Sequence, residues 1–363
     1  MKAVLRGIGI ALLFLTVALL LAPTVARPFL DRIYYRGPVS DHFDGERFRN
    51  PEGEQGTGGS RTASPTRWLG FLAGAGRPAW PTSVPVVPAK PAARVGCAAD
   101  DDALTVTWVG HATALIQTRC LNILTDPVWS DRASPVGFAG PKRVRAPGIA
   151  FADLPRIDAV LLSHNHYDHF DLATLEQLWR RDRPTIVTSL GNDSLLRGRG
   201  IPAITRDWGG RVPLRPGIDV VVERVHHWGS RYGIDRNRAL WSGFSVTLPG
   251  GNMLFAGDTG WGDGAWVAQA ARHGPYRLAI LPIGAYRPRA LMSGNHIDPA
   301  QATQVFAGLH ARHALAVHWG TFQLAYEEID EAPRDLARAV ATLPAGKRDF
   351  RVLPVGGVWA VPE

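Results

Sequence analysis

The run LLSHNHYDHFD, residues 161–171, follows directly on an apolar stretch that begins at Ile157. Short aliphatic stretches of this kind read as buried strands. A polar turn after a strand commonly contains Asp, Asn or His, so a purely structural reading exists. It does not explain why His164, His166, Asp168 and His169 fall within six positions. Neutral imidazoles suit zinc and comparable divalent cations, and carboxylates serve as harder ligands. A short loop leaving a rigid strand can aim such side chains at one point.

One loop cannot complete two metal shells, and the chain offers further ligand types at other strand ends. VVVERVHHW reaches His227, NMLFAGDTG reaches Asp258, and ALAVHWG reaches His318. A lone His after a strand is more often a satisfied polar group than a ligand. Three such ends beside the cluster favour a metal centre. His226 adjoins His227, and neighbouring side chains on an extended chain point to opposite faces, so one of the pair is the candidate.

From Ala103 onward the texture is that of a folded α/β domain. LTVTWVG, ATALIQ and LNILTD read as an antiparallel meander. Further strand-like runs alternate with helical patterns over 172–181, 265–272, 299–310 and 332–343. This predicts an α/β sandwich, two mixed sheets with helices outside, over residues 103–363. Residues 27–102 read as a Pro/Gly-rich N-terminal extension, with a flexible loop over 50–65. Within it, 67–81 reads as a loop that packs Trp68 and Trp80 on the core, in preference to a short helix. No internal repeat is visible, although the two halves share a texture.

At the N-terminus, Lys2 and Arg6 precede an uncharged apolar span reaching Ala26. Residues 1–26 therefore read as a signal peptide or an N-terminal membrane anchor. Either predicts export or anchoring, with the rest of the chain on the periplasmic side of a bacterial membrane. The net charge of +8 favours anionic partners. It is dispersed, and with no zinc-finger or RNA-binding motif it argues against nucleic acid. The basic loop GPKRVRAP, 140–147, reads either as solvated or as a lipid-headgroup contact. The two cysteines, Cys97 and Cys120, read as a disulfide or as two free thiols, and neither sits in a His/Cys cluster.

The cluster together with the later His227, GDTG and HWG resembles the metallo-β-lactamase fold of binuclear metallohydrolases. TWVGHATALIQ, LTDPVWSDRASP, GPKRVRAPG, LPIGAYRPR, NHIDPAQA and HWGTF extend the resemblance to N-acylphosphatidylethanolamine-hydrolysing phospholipases D. It runs from about Leu104 to the C-terminus, and HFDGERFRNP, 42–51, adds an N-terminal block. The resemblance implies an αββα sandwich with two Zn2+ ions at one edge. One zinc would take His164, His166 and His227, the other Asp168, His169 and His318, with Asp258 bridging. It implies a phospholipid substrate at a membrane surface, with N-acylethanolamine and phosphatidic acid as products. It also implies a homodimer. Two zinc ions can acidify a shared water and so supply hydroxide at neutral pH.

Supporting roles are expected of Asp126 and His111 around the ligands. Asn295, His296 and Tyr167 are expected near substrate, with His296 also a candidate for catalysis beside Asp168 and Asp258. Asp298 and Pro299, next along, read as a helix cap and first turn. His42, His273, His310 and His313 read as surface or helix residues. Two rival readings remain. One is another hydrolase of this fold, a lactonase or a different phosphodiesterase, since one fold hosts many reactions. The other is a non-catalytic membrane lipid-binding protein, against which stands the intact set of ligand positions.

Overall fold

Alternation of side chains along the first strands decides which way each faces. In β1 (Leu104–Gly110), Val106 and Trp108 enter one core and Val109 another. In β2 (Thr113–Thr118), Ile116 and Leu115 divide likewise, as do Ile123 and Leu124 in β3 (Leu121–Thr125) and Leu161 and Val160 in β4 (Ala159–Leu162). Such period-two division is the mark of a sheet buried on both faces. The computed structural model describes residues 12–17, 30–53, 65–98 and 100–363.

The first sheet continues through β5 (Thr185–Ser189) and β6 (Ile204–Arg206) and closes at its other edge with β14 (Val358–Val361), in the order β14-β1-β2-β3-β4-β5-β6. The second contains β7 (Arg211–Arg215), β8 (Ile218–Glu223), β9 (Gly243–Val246), β10 (Asn252–Phe255), β11 (Tyr276–Pro282), β12 (His313–Val317) and β13 (Phe350–Arg351), in the order β13-β12-β11-β10-β9-β8-β7. Read from β14 and from β7, both sheets have three antiparallel pairs followed by three parallel ones. The halves are thus topological copies, a repeat that the side chains do not betray. Asp126 follows β3 and Asp258 follows β10, its counterpart.

The main core lies between the sheets, around Trp108, Trp241, Phe244 and Phe255. The second lies under the helix Leu172–Asp182, through Leu175 and Leu178. Asp171 caps this helix by accepting from the backbone N–H of Ala173 and Thr174, a contact worth about 1 kcal/mol. Its other oxygen accepts from Trp129 and Ser130, which ties the β3–β4 crossover to the end of the His cluster. On the second sheet, the helices Pro299–Gly308 and Glu331–Ala341 bury Val305, Phe306 and Leu336. The architecture is the αββα sandwich.

Several expectations change. The stretch 67–81 begins in a helix, Pro65–Leu72, in place of the expected loop, and continues from residue 73 as turn and irregular chain. Pro65 opens the helix with φ already set, and helix-compatible residues follow until Gly70. Trp80 does reach the domain, donating from Nε1 to the Glu327 carbonyl at 3.0 Å. The segment 30–53 is built into the domain: Phe43 and Phe48 are buried in the main core and Tyr34 in the second. His42 is not a surface residue, because it is buried and stacked on Trp208 at 4.5 Å. His313 begins a strand and pairs with Asp349, and His273 bonds Glu223 at 2.6 Å. Cys97 and Cys120 are joined in a disulfide. Most of the N-terminal apolar segment and of the 50–65 loop lies outside the described residues, among which no helix is long and apolar enough to cross a membrane.

Candidate metal centre

The ligand-type residues converge at one edge of the sandwich. The end of β4 delivers His164, His166, Asp168 and His169; the end of β10 delivers Asp258; the end of β12 delivers His318. The chain beyond β8 delivers His227, and the turn between β1 and β2 delivers His111. Their nitrogens and oxygens form two groups whose atoms lie within 4.8 Å of one another. His164, His166 and His227 make the first, and His111, Asp168, His169 and His318 the second; two smaller groups, Asp126/His164/His169 and Asp258/His296/His318, overlap them. Asp258 lies between them. Its Oδ2 is 3.8 Å from His227 Nε2, 3.2 Å from His169 Nε2 and 3.1 Å from His318 Nε2.

Backbone geometry bends to this purpose. His111, Asp126 and His318 all have positive φ, at 53°, 30° and 63°. Non-glycine residues tolerate this at about 1–3 kcal/mol each, and such strain gathers at functional sites. Gly257, with φ +61°, brings Asp258 in so closely that a Cβ there would lie 2.6 Å from Ser163 Cβ. The carbonyl of His111 accepts from both Trp108 Nε1 and the backbone N–H of His318, each at 2.9 Å. This fixes two arms of the second group together.

Hydrogen bonds set which nitrogen each ring presents. Asp126 accepts from His169 Nδ1 at 2.6 Å, leaving His169 Nε2 to face Asp168 and Asp258. Asp126 also accepts from Ser163 Oγ at 2.6 Å, and that hydroxyl lies 2.9 Å from His164 Nδ1. His227 donates from Nδ1 to the Asn295 carbonyl at 3.0 Å. These are the outer contacts that orient metal-ligating imidazoles. His111 Nε2 bonds Asp168 Oδ2 at 2.9 Å, so it stands closer to the centre than the supporting position expected of it.

The electrostatics fit a cation-binding pair of sites. Burial pushes His164 and His227 well below the ordinary histidine range, and His166 and His296 down to about 4. Their rings are therefore neutral at pH 7, with lone pairs available. Burial also opposes the charge on Asp258, but His169 and His318 outweigh it and hold the carboxyl well below its usual value. For His318, burial is overcome by Asp258 and Asp168, which raise it to about 9.

Buried polar atoms usually have partners. Here His166 Nε2, His169 Nε2, His227 Nε2, His318 Nε2 and Asp258 Oδ1 are buried with none. Five orphaned ligand atoms around one point fit divalent cations and little else.

The other expected residues divide. His296 lies at the same centre, its buried Nδ1 3.8 Å from Asp258 Oδ2 and without a partner. Asp298 and Pro299 do cap and open the next helix, with Gln301 completing a capping box. Asn295 contributes through its backbone carbonyl to His227. Tyr167 is covered by the Arg231 guanidinium, 3.6 Å from the ring centre. Sequence reasoning missed Arg231 itself. It donates to the carbonyls of Asn165 and Phe170 at 3.2 and 2.8 Å and so holds both sides of the His cluster. Nothing in the local SRYG marks it, because its partners are backbone atoms more than sixty residues away.

A family model described as a β-lactamase superfamily domain matches residues 121–319. The chain is 34% identical over 276 residues to N-acyl-phosphatidylethanolamine-hydrolyzing phospholipase D 1 of Caenorhabditis elegans, a match covering 72% of this chain and 77% of that one. It is 34% identical over 61% of its length to the mitochondrial N-acyl-phosphatidylethanolamine-hydrolyzing phospholipase D of Saccharomyces cerevisiae, of which it spans 48%. Among solved structures, a metallo-hydrolase from the archaeon Ignicoccus hospitalis shares the fold, with a TM-score of 0.53 at 20% identity over 71% of this chain and 97% of the other.

Proposed function

The chain belongs to the β-lactamase superfamily and is a metal-dependent hydrolase of that fold, and from this premise we propose that it is a binuclear zinc phosphodiesterase. Its substrate is N-acylphosphatidylethanolamine, cleaved to N-acylethanolamine and phosphatidic acid. The observation that carries this reading is the doubled set of inward imidazoles with Asp258 between them. The choice of substrate rests on the relatives named above.

Two zinc ions held there would supply positive charge for the phosphoryl oxygens and lower the pKa of a water toward neutrality. The protein's own residues do the rest. Asp126, Ser163 and the Asn295 carbonyl lock ring orientation, and His111 braces Asp168. His296, neutral and unpartnered at Nδ1, is placed to hydrogen-bond a phosphoryl oxygen or the departing ethanolamine oxygen. In the reaction a P–O bond to water's oxygen forms. The P–O bond to the ethanolamine oxygen breaks, and that oxygen leaves with a proton.

A lipid surface as partner is supported by the loop next to the centre. Residues 135–140, PVGFAG, are all exposed, with Phe138 at 84%. Arg132 donates to the carbonyls of Gly137 and Gly140 at 3.0 and 2.7 Å and holds this tip in shape. At its base Arg143 stacks on Phe322, which packs on His111. A rigid apolar tip beside basic Lys142 suits insertion into an anionic headgroup layer. This agrees with the outward-facing membrane location expected from the N-terminal segment.

The test is product analysis with N-acylphosphatidylethanolamine in mixed micelles, using the zinc-loaded full-length chain beside Asp258→Asn. Release of N-acylethanolamine and phosphatidic acid by the unaltered protein alone is the expected result. Two bound metals without that release would keep the metal centre and eliminate the substrate.

A further inference from the structure

The segment Asp31 to Gly53 lies outside the 121–319 family match, yet it ends against the metal centre. Phe48 donates its backbone N–H to the Asn237 carbonyl at 2.8 Å, and Asn237 donates in turn to Gly229 at 2.7 Å. This fastens the segment across the chain that follows β8. Two side chains then reach inward at consecutive histidines. Asn50, 3% exposed, donates from Nδ2 to the carbonyl of His227 at 3.0 Å. Glu52 accepts from His226 Nδ1 with one oxygen and pairs with Arg224 through the other.

His226 is also the crossing point to the Asp258 arm. Its backbone N–H donates to Thr259 Oγ1 at 3.1 Å, and its carbonyl accepts from Gly260 at 2.6 Å. Space is kept for this contact by Gly262, where a Cβ would lie 2.6 Å from Glu52 Oε1 and from His226 Nδ1. The Glu52 carboxylate thus fixes the member of the His226–His227 pair that is not a ligand candidate. By doing so it fixes the direction of the next, which is. Successive side chains on extended backbone face opposite ways, so anchoring the buried His226 ring on Glu52 aims His227 toward the metal centre.

We infer that Asn50 and Glu52 are positioning residues of the metal centre, and that the N-terminal segment completes the His164/His166/His227 site. The inference rests on the metal-centre reading above and is independent of the lipid substrate. Neither residue touches a metal position. Each acts through His227, whose ring is itself held at Nδ1 by the Asn295 carbonyl. In the second group, His169 is oriented by Asp126 and His111 bonds Asp168, contacts that involve no residue of the segment.

The experiment is competition for zinc between a chelator and the full-length protein, with cobalt(II) substitution read by its visible absorption spectrum. The variants are Asn50→Asp, nearly isosteric but lacking the donor, and Glu52→Gln, which keeps an acceptor for His226 and loses the charge facing Arg224. Asp44→Asn is the control, since the Asp44 carboxylate accepts from the backbone of Glu46 and Arg47 within the segment. Outer contacts of this kind typically contribute 10–100-fold in metal affinity. Asn50→Asp is expected to weaken one zinc equivalent by roughly that factor and alter one cobalt spectrum, with the other equivalent unchanged. Glu52→Gln is expected to weaken the same equivalent by less. Thermal melts of the metal-free proteins separate this from simple loss of fold, which would lower both equivalents together. Unchanged affinity for both equivalents, or equal weakening of both, overturns the proposal. An unaltered protein that takes up no second equivalent overturns the metal-centre reading as well.

Discussion

Asp126 is the most informative single residue to change. It is completely buried and accepts three hydrogen bonds, from Ser163 N–H at 2.7 Å, Ser163 Oγ at 2.6 Å and His169 Nδ1 at 2.6 Å. Asp126→Ala leaves three buried donors without an acceptor. At about 1–3 kcal/mol for each unsatisfied group, the loss is roughly 3 kcal/mol or more. Asp126→Asn separates stability from ligation. Its carbonyl oxygen, in the Oδ1 position, can still accept from the Ser163 N–H, but its NH2, in the Oδ2 position, faces both the Ser163 hydroxyl, which must turn to accept, and His169 Nδ1. The imidazole must then present a lone pair at Nδ1 and carry its proton on Nε2, the atom facing Asp168 and Asp258. The ligand nitrogen is thereby blocked. Urea unfolding of the metal-free Asn variant should show a modest loss, smaller than for Ala. Chelator competition should show metal binding weakened by roughly 10–100-fold. An Asn variant that binds both metals as tightly as the unaltered protein would refute the tautomer argument.

Two further outcomes are expected. Phe48→Ala should destabilise the protein by about 3–5 kcal/mol in denaturant titration, because Phe48 is buried in the main core; an effect below 1 kcal/mol would show that the segment is a dispensable appendage. His42 should make docking of this segment pH-dependent. Burial lowers its pKa, but the hydrogen bonds it donates to Asp207 and Asp41 outweigh that and raise it. The stabilisation is therefore complete below the unfolded value of about 6.5 and is lost as pH climbs through the raised folded value. Hydrogen-exchange protection over residues 40–50 should fall over that window, and His42→Asn should abolish the dependence.

The metal-facing edge was legible because its signals are local. Four ligand types in one loop, and three strands ending in His or Asp, need no knowledge of partners. Strand periodicity was equally readable, since Val106 and Trp108 alternate with Val109 within one stretch of chain. What escaped depends on contacts distant in sequence. Arg231 acts on carbonyls contributed by the β4 loop, and any segment carries carbonyls. Asn50 and Glu52 sit in a Pro/Gly-rich stretch with no periodicity, and only the folded chain brings them to His226 and His227. His42 looked like a surface histidine because Trp208, which covers it, is more than a hundred and sixty residues away. The duplication of the sheets was hidden because pairing order repeats while side chains do not.

The most direct test of the central claim is anomalous X-ray diffraction across the zinc edge from crystals of the zinc-loaded protein. Two peaks are expected on either side of Asp258, one among His164, His166 and His227 and the other among Asp168, His169 and His318. A single peak, or peaks away from Asp258, would contradict that claim.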